Sequence, residues 1–266
     1  MLLCPQRSGS TALTTLLNQY EGVKAYDQLF KNGFEHRYYL KRDFGMPLFR
    51  ACPDTMLHFG PTPPLRLRAE RQALRLVARE HDLDRHVETF WERYGTEPDL
   101  RAVGFKLHDY QLTEDDMLAV MRRHLDGVVV LHRENLLKAA VSWAYAVHTG
   151  VWMRKEKPKK ALAPIRLDLD ELRWFMEKTP ASIAQWRRLT EAAGVPTIWL
   201  TYEEHVQPKN LNGLKRFLGV PEGAEAEFTI RKLSTAKYEH IANAEEINQR
   251  LGSSETGYLF EPAAHV

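Results

Sequence analysis

The chain alternates short apolar runs with longer stretches in which apolar residues recur every three or four positions, the patterns of strands and helices taken in turn. Met1 to Cys4 is apolar, breaks at the polar run PQRSGST (Pro5 to Thr11), and gives way to a helical pattern over Ala12 to Gln19. Gly22 to Phe30 reads as a segment returning to the sheet and delivering two polar side chains, Asp27 and Gln28, at its end. Ala102 to His108, AVGFKLH, reads as a core strand running into a polar loop. A helix is expected over Asp115 to Leu125, with Met117, Leu118, Met121 and Leu125 inward and Gly127 as its stop. VVVLH, Val128 to His132, has the unbroken apolar character of a strand buried on both faces. Further helices are expected over Leu136 to Val147 and Asp170 to Ala193, the second ended by Gly194. Val195 to Glu203 reads as another strand and Leu211 to Leu218 as one more helix.

Three further regions are harder to place. Lys31 to Gly60 mixes Phe34, Tyr38, Tyr39, Phe44, Phe49 and Phe59 with basic residues, without clean periodicity, and reads either as an irregular segment packed on the core or as a substrate-binding wall. Leu65 to Tyr94 is helical, and its arginines 66, 68, 71, 75 and 79 form a stripe that is either a solvated face or a site for an anionic partner. Met153 to Asp168 is dense in Lys, Arg and Pro, the composition of a surface loop or of a lid beside a site. The alternation as a whole predicts one α/β domain over 1–266, with a central parallel sheet, helices on both faces, and a less assignable insertion at about 31–94.

Composition narrows the class without changing the fold. Of 266 residues, 44% are hydrophobic and 27% charged, ordinary for a soluble globular protein. With 37 basic against 35 acidic residues the formal charge is only +2, so nucleic acid is not an expected partner and any basic patch must be local. Two cysteines, Cys4 and Cys52, make no disulfide framework and fit a reducing compartment. The apolar start is broken by Arg7 and Gly9 too early for a signal peptide, and no run approaches the ~20 apolar residues of a membrane span. A cytoplasmic protein is expected.

The candidate chemistry begins at the first turn. A strand that passes through PQRSGST into a helix presents unsatisfied N–H groups and the positive end of a helix dipole. Gly9 allows close approach of an anion, Ser8, Ser10 and Thr11 add hydroxyl donors, and Arg7 adds a permanent forked charge. An ordinary strand-to-helix connection would use Ser and Thr too, as caps. The run is P-loop-like without being a triphosphate loop: GxxxxGK[ST] has a Lys before the magnesium-binding hydroxyl, and here Gly9 precedes Ser10. A second anion site is suggested by Arg133, at the carboxyl end of the VVVLH strand, and Ser142 nine positions on. Together they suit a nucleoside with phosphate-like groups at two ends.

These residues resemble the sulfotransferases that use 3′-phosphoadenosine 5′-phosphosulfate. PQRSGST is similar to that family's 5′-phosphosulfate loop, and VVVLHRENLLKAAVSWAYAVHTGVW to its 3′-phosphate segment. The likeness is nearest to the bacterial branch acting on trehalose glycolipids and nodulation-type sugars, which shares the Arg, the Ser nine positions on, and a TGxW, here Thr149, Gly150 and Trp152. GFKLHDYQ and LTYEE are also similar to that branch, and the tail from Lys232 through HIANAEEI weakly so, whereas Lys31 to Tyr94 matches nothing. The resemblance implies that Arg7, Ser8, Gly9, Ser10 and Thr11 hold the 5′-phosphosulfate and Arg133 with Ser142 the 3′-phosphate. Arg7 and Ser10 would then carry much of the catalysis, as donors to the leaving oxygen in an in-line transfer. No metal is implied, and no Cys/His cluster of ligand spacing is present.

The acceptor hydroxyl needs a base, and here the chain departs from that branch. A Glu is common in its GELF-like segment, and the matching position is Gln28, in DQLF, which accepts no proton. Asp27 is adjacent, but strict strand alternation would point it to the opposite face. His108, at a strand end with an ordinary pKa near neutrality, suits the role, and His36 is a third candidate. A homologue that binds donor without turnover, or a P-loop kinase, are the alternative readings. The expected partner is a carbohydrate or other small-molecule acceptor, with no nucleic acid and no membrane span, and a homodimer is left open.

Overall fold

The computed structural model describes residues 1–30, 83–109, 111–150, 164–205, 211–228 and 238–260. His36, Cys52 and Trp152 lie outside these residues, as do the irregular aromatic region, the helical stretch before Leu83 with its arginine stripe, and 153–163 of the basic segment.

Five strands form one parallel sheet in the order β2-β3-β1-β4-β5: β1 (Leu2–Leu3), β2 (Val23–Gln28), β3 (Ala102–Leu107), β4 (Val128–His132) and β5 (Thr197–Thr201). Among them run α1 (Ser10–Leu17), α2 (Leu83–Tyr94), α3 (Glu114–His124), α4 (Leu136–Thr149), α5 (Leu169–Ala193), and, after β5, α6 (Tyr202–His205), α7 (Asn212–Phe217) and α8 (Ala244–Leu251). β1 is central although only two residues long. Leu2 and Leu3 pair with Lys106 and Leu107 on one side and with Val129 and Val130 on the other. The Cys4 N–H extends the ladder to the Leu107 carbonyl at 3.1 Å.

The order of strands decides which face each helix covers. From β1 the chain moves outward to β2, whereas the crossings from β2 to β3, β3 to β4 and β4 to β5 all run the opposite way. Right-handed crossovers therefore set α1 on one face and α2, α3 and α5 on the other. The cores agree. Leu13, Leu16 and Leu17 of α1 pack with Leu2, Cys4, Val129, Leu131 and Leu200, joined by Leu214 of α7. On the opposite face Val87, Phe90, Met117, Val120, Met121, Trp186 and Leu189 close over Leu3, Phe105, Leu107, Val128 and Val130. A third cluster packs α4 and α5 with α8, through Leu137, Val141, Leu172, Phe175, Ile247 and Leu251.

β1 is thus flanked on both sides by strands whose connections leave toward the other face. A crevice at its carboxyl end follows, the topological switch point where open α/β sheets hold ligands.

Three boundaries differ from expectation in ways that bear on that crevice. α1 begins at Ser10 rather than Ala12, so Ser10 and Thr11 lie in its first turn. The strand expected to run through Glu203 stops at Thr201 and turns into α6, which redirects Tyr202 and Glu203 toward the neighbouring strand ends. β2 slips in register against β3: Tyr26 faces Phe105 and Gln28 faces Lys106, leaving Asp27 as the extra residue of a bulge. The alternation that counts against Asp27 in the sequence does not hold across such a bulge. α8 had no sequence expectation at all.

Candidate active site

The loop after β1 closes tightly because two residues adopt left-handed backbone. Arg7 has φ 64° and Gly9 φ 86°, and Gly9 is the N-cap of α1. A Gly cap brings no side-chain hydrogen bond, and none is made, so the first-turn amides of α1 are left facing the crevice. The close approach over Gly9 is to the Tyr202 ring, whose Cδ2 would lie 2.5 Å from a Cβ placed there. Ser8 is buried, and its Oγ has no hydrogen-bond partner among the described residues.

Arg7 reaches across to α4, where its Nε donates to Ser142 Oγ at 2.9 Å. Arg133, from the end of β4, lies over the Tyr202 ring at 4.7 Å, with its Nε 3.6 Å from Glu203 Oε1 and making no hydrogen bond among the described residues. The two arginines are close enough to oppose each other. Burial first, and the charge of Arg133 second, lower the pKa of Arg7 to about 10. Two guanidiniums and a hydroxyl come together beside an uncapped helix start, donors whose chemistry suits an anion.

Glu203 fixes this side of the crevice. Its carboxylate accepts the backbone N–H groups of Glu134 at 2.9 Å and Asn135 at 3.2 Å. Asn135 caps α4 by accepting from the Lys138 N–H at 2.8 Å and ties it to the C-terminal segment by donating to the Tyr258 carbonyl at 3.0 Å. Arg133 and Ser142, on either side of that cap, are held at a set distance along one rigid unit.

The other side of the crevice is built by β2 and β3. Lys106 is buried, and its ammonium lies 2.5 Å from Asp27 Oδ1 and 3.5 Å from Thr11 Oγ1 in the first turn of α1. Gln28 is oriented by Gln111, whose Nε2 donates to Gln28 Oε1 at 2.9 Å while its own Oε1 accepts the His108 N–H at 2.7 Å. His108 is buried, with Nδ1 2.6 Å from the Cys4 carbonyl. Burial, the largest influence, drives its pKa down to about 4, with the charge of Lys106 acting the same way. Cys4 beneath it is no nucleophile. Burial, the largest influence, pushes its thiol up to about 11, against the charge of Lys106.

The sequence-derived residues Arg7, Ser8, Gly9, Ser10, Thr11, Arg133 and Ser142 therefore gather at one crevice, with Gln28, Asp27 and His108 along its β2–β3 side. Arg7 also reaches Ser142 and lies near Arg133. Four members were missed: Lys106, Gln111, Tyr202 and Glu203. Lys106 carried a signal, being a lone charge inside an apolar strand flanked by Phe105 and Leu107.

Among the described residues no group of His, Cys, Asp and Glu could hold a metal ion, and no helix is long and apolar enough to cross a membrane. No protein-family profile and no curated protein matches the chain. Among solved structures, the chain is similar to a sulfotransferase from Alicyclobacillus acidocaldarius, at 13% identity and a TM-score of 0.45, over 94% of this chain and 93% of that one.

Proposed function

We propose that this chain is a sulfotransferase, moving a sulfuryl group from 3′-phosphoadenosine 5′-phosphosulfate to a hydroxyl of a carbohydrate or other small acceptor by in-line transfer. The observation that carries the reading is the meeting of Arg7, Ser142 and Arg133 beside the uncapped start of α1. That meeting offers one strong anion site, and the α1 amides with Ser8, Ser10 and Thr11 offer a second. A nucleoside carrying anionic groups at both its 3′ and 5′ positions has the charge distribution for the pair, whereas ATP is anionic at one end only. The buried Ser8 Oγ and Arg133 Nε, each lacking a hydrogen-bond partner among the described residues, fit a ligand rich in acceptor oxygens.

In this reading Arg133, Ser142 and Arg7 hold the 3′-phosphate. The backbone of Gly9 and the hydroxyls of Ser8, Ser10 and Thr11 hold the 5′ end. The bound donor supplies the activated sulfuryl group and the phosphate that leaves it. The chain supplies N–H and O–H donors fixed in advance around the oxygen on which charge develops, so little reorganisation accompanies the transfer. Gln28, its amide held by Gln111, orients rather than deprotonates. His108, a weak base at a pKa of about 4, ties the end of β1 to the loop after β3.

Calorimetry tests the reading directly. The chain should bind 3′-phosphoadenosine 5′-phosphate at least tenfold tighter than ATP, and preference for ATP would place it with the kinases instead. Arg133→Ala should weaken the bisphosphate nucleotide by about 10- to 100-fold, the worth of one hydrogen bond to a charged group, and adenosine 5′-monophosphate much less. Equal losses for both would remove Arg133 from the 3′-phosphate. Sulfated products, sought by mass spectrometry among small hydroxylated acceptors, separate a working enzyme from a homologue that only binds donor.

A further inference from the structure

Lys106 sits where a core strand would ordinarily carry an apolar side chain. Its neighbours Phe105 and Leu107 pack into one face, and its own side chain leaves on the other, toward α1. Enclosing an ammonium costs several kcal/mol unless its charge is compensated, so the position is expensive for the fold. The compensation is unusual. The side chain of Lys106 is 4% exposed, while that of its partner Asp27 is 65% exposed. Here a carboxylate in water covers an ammonium that is not, and the bulge in β2 puts it there. Beneath that cover lies the first turn of α1, with Thr11 Oγ1 3.5 Å from the ammonium. The loop itself has Gly9 where phosphate loops carry their Lys.

We infer that Lys106 is the cation of the transfer end of the site, supplied by the neighbouring strand rather than by the loop, and that Asp27 covers it until an anionic donor group takes it over. This inference rests on the sulfotransferase reading. With Lys106 engaged by the 5′ group, Asp27 is released from its ion pair beside the reacting atoms and becomes the proton acceptor. The acceptor oxygen then forms its bond to sulfur as the bond from sulfur to the phosphate oxygen breaks. The electron pair of that bond stays on the phosphate, stabilised by Lys106, and the hydroxyl proton passes to the Asp27 carboxylate. The two charged residues trade partners as donor enters, so the base is unmasked only when there is something to transfer.

The test is a binding cycle with two nucleotides that differ only at the 5′ end. Wild type, Lys106→Met, Asp27→Asn and the double variant are titrated with 3′-phosphoadenosine 5′-phosphate and with adenosine 3′-monophosphate. Lys106→Met should weaken the bisphosphate by about 10- to 100-fold and leave the 3′-monophosphate within about twofold. Asp27→Asn removes the competitor for the ammonium, so it should tighten the bisphosphate several-fold, and that gain should vanish in the double variant. Equal effects on both nucleotides, or an Asp27→Asn variant that binds the bisphosphate no better than wild type, would overturn the inference. Asp27 is largely exposed, so its variant tests the idea even where Lys106→Met folds poorly. Failure of the wild type to bind the bisphosphate would instead sink the sulfotransferase reading itself.

Discussion

His108 Nδ1 lies 2.6 Å from the Cys4 carbonyl oxygen, and a carbonyl only accepts, so that nitrogen carries the hydrogen and Nε2 the lone pair. The imidazole is buried in neutral form, with its pKa lowered from 6.5 to about 4 chiefly by desolvation. The sign of the linkage follows. Between pH 6.5 and 4 the unfolded chain binds a proton that the folded chain refuses, so this contribution to stability is complete above pH 6.5 and is lost as pH falls toward 4. Its size is at most about 3 kcal/mol. His108→Asn keeps an N–H for the Cys4 carbonyl and removes the titration. Urea midpoints measured at pH 7 and pH 4.5 should therefore fall more steeply with acid in wild type than in the variant. Parallel pH profiles would mean that His108 is charged in the fold. The residue also marks what the sequence conveyed and what it did not. The position of a His after GFKL, at the end of a strand, was legible. The direction of its pKa was not, because that depends on how completely the loops after β1 and β3 close around it.

At the scale of elements, what was legible follows from burial. β4 could be read from VVVLH because a strand covered on both faces must be apolar along its whole length, and α5 because a 25-residue amphipathic helix repeats its stripe many times. The bulge in β2 was not legible, since a one-residue slip leaves no compositional trace in VKAYDQ, yet it decides whether Asp27 meets Lys106. α6 was hidden for a related reason: LTYEE carries a strand-like start, and Tyr202 is set by tertiary packing, on Gly9 among other contacts. That packing makes the loop after β1 and the end of β5 one unit. Gly9→Ala would place a Cβ 2.5 Å from Tyr202 Cδ2 at a φ of 86°, and the displaced ring would carry Arg133 with it. The expected cost is about 1–3 kcal/mol of stability, together with weaker binding of 3′-phosphoadenosine 5′-phosphate. Gly194→Ala is the control. Its φ is 66° with nothing within 4 Å of the added Cβ, so it carries the conformational penalty alone and should leave nucleotide affinity unchanged. Equal affinity losses in both variants would mean that the contact with Tyr202 plays no part.

For the whole molecule, the crevice is a place where the fold gives up stability. Arg7 holds a left-handed φ of 64°, a conformation costly for a residue with a long side chain, and it is desolvated beside the like charge of Arg133. Its Nε donates to Ser142 Oγ, a hydrogen bond worth about 1 kcal/mol. An anion that neutralises both arginines should therefore stabilise the entire sheet, because Arg7, Arg133 and Tyr202 belong to the ends of β1, β4 and β5. At a hundredfold excess over Kd the bisphosphate nucleotide adds about 2.7 kcal/mol, or roughly 5–10 °C in Tm for a chain of this size. Arg7→Asn separates the two roles, since Asn tolerates left-handed backbone and removes the buried charge. Without ligand the variant should unfold at a temperature no lower than wild type. With ligand at the same concentration, and a Kd weakened a hundredfold, the gain should shrink to about 0.4 kcal/mol. Thermal unfolding with and without 3′-phosphoadenosine 5′-phosphate reads both quantities at once. A variant that loses several degrees when free yet keeps the ligand-dependent rise would make Arg7 a structural residue, and would leave the anion to Arg133 and the start of α1.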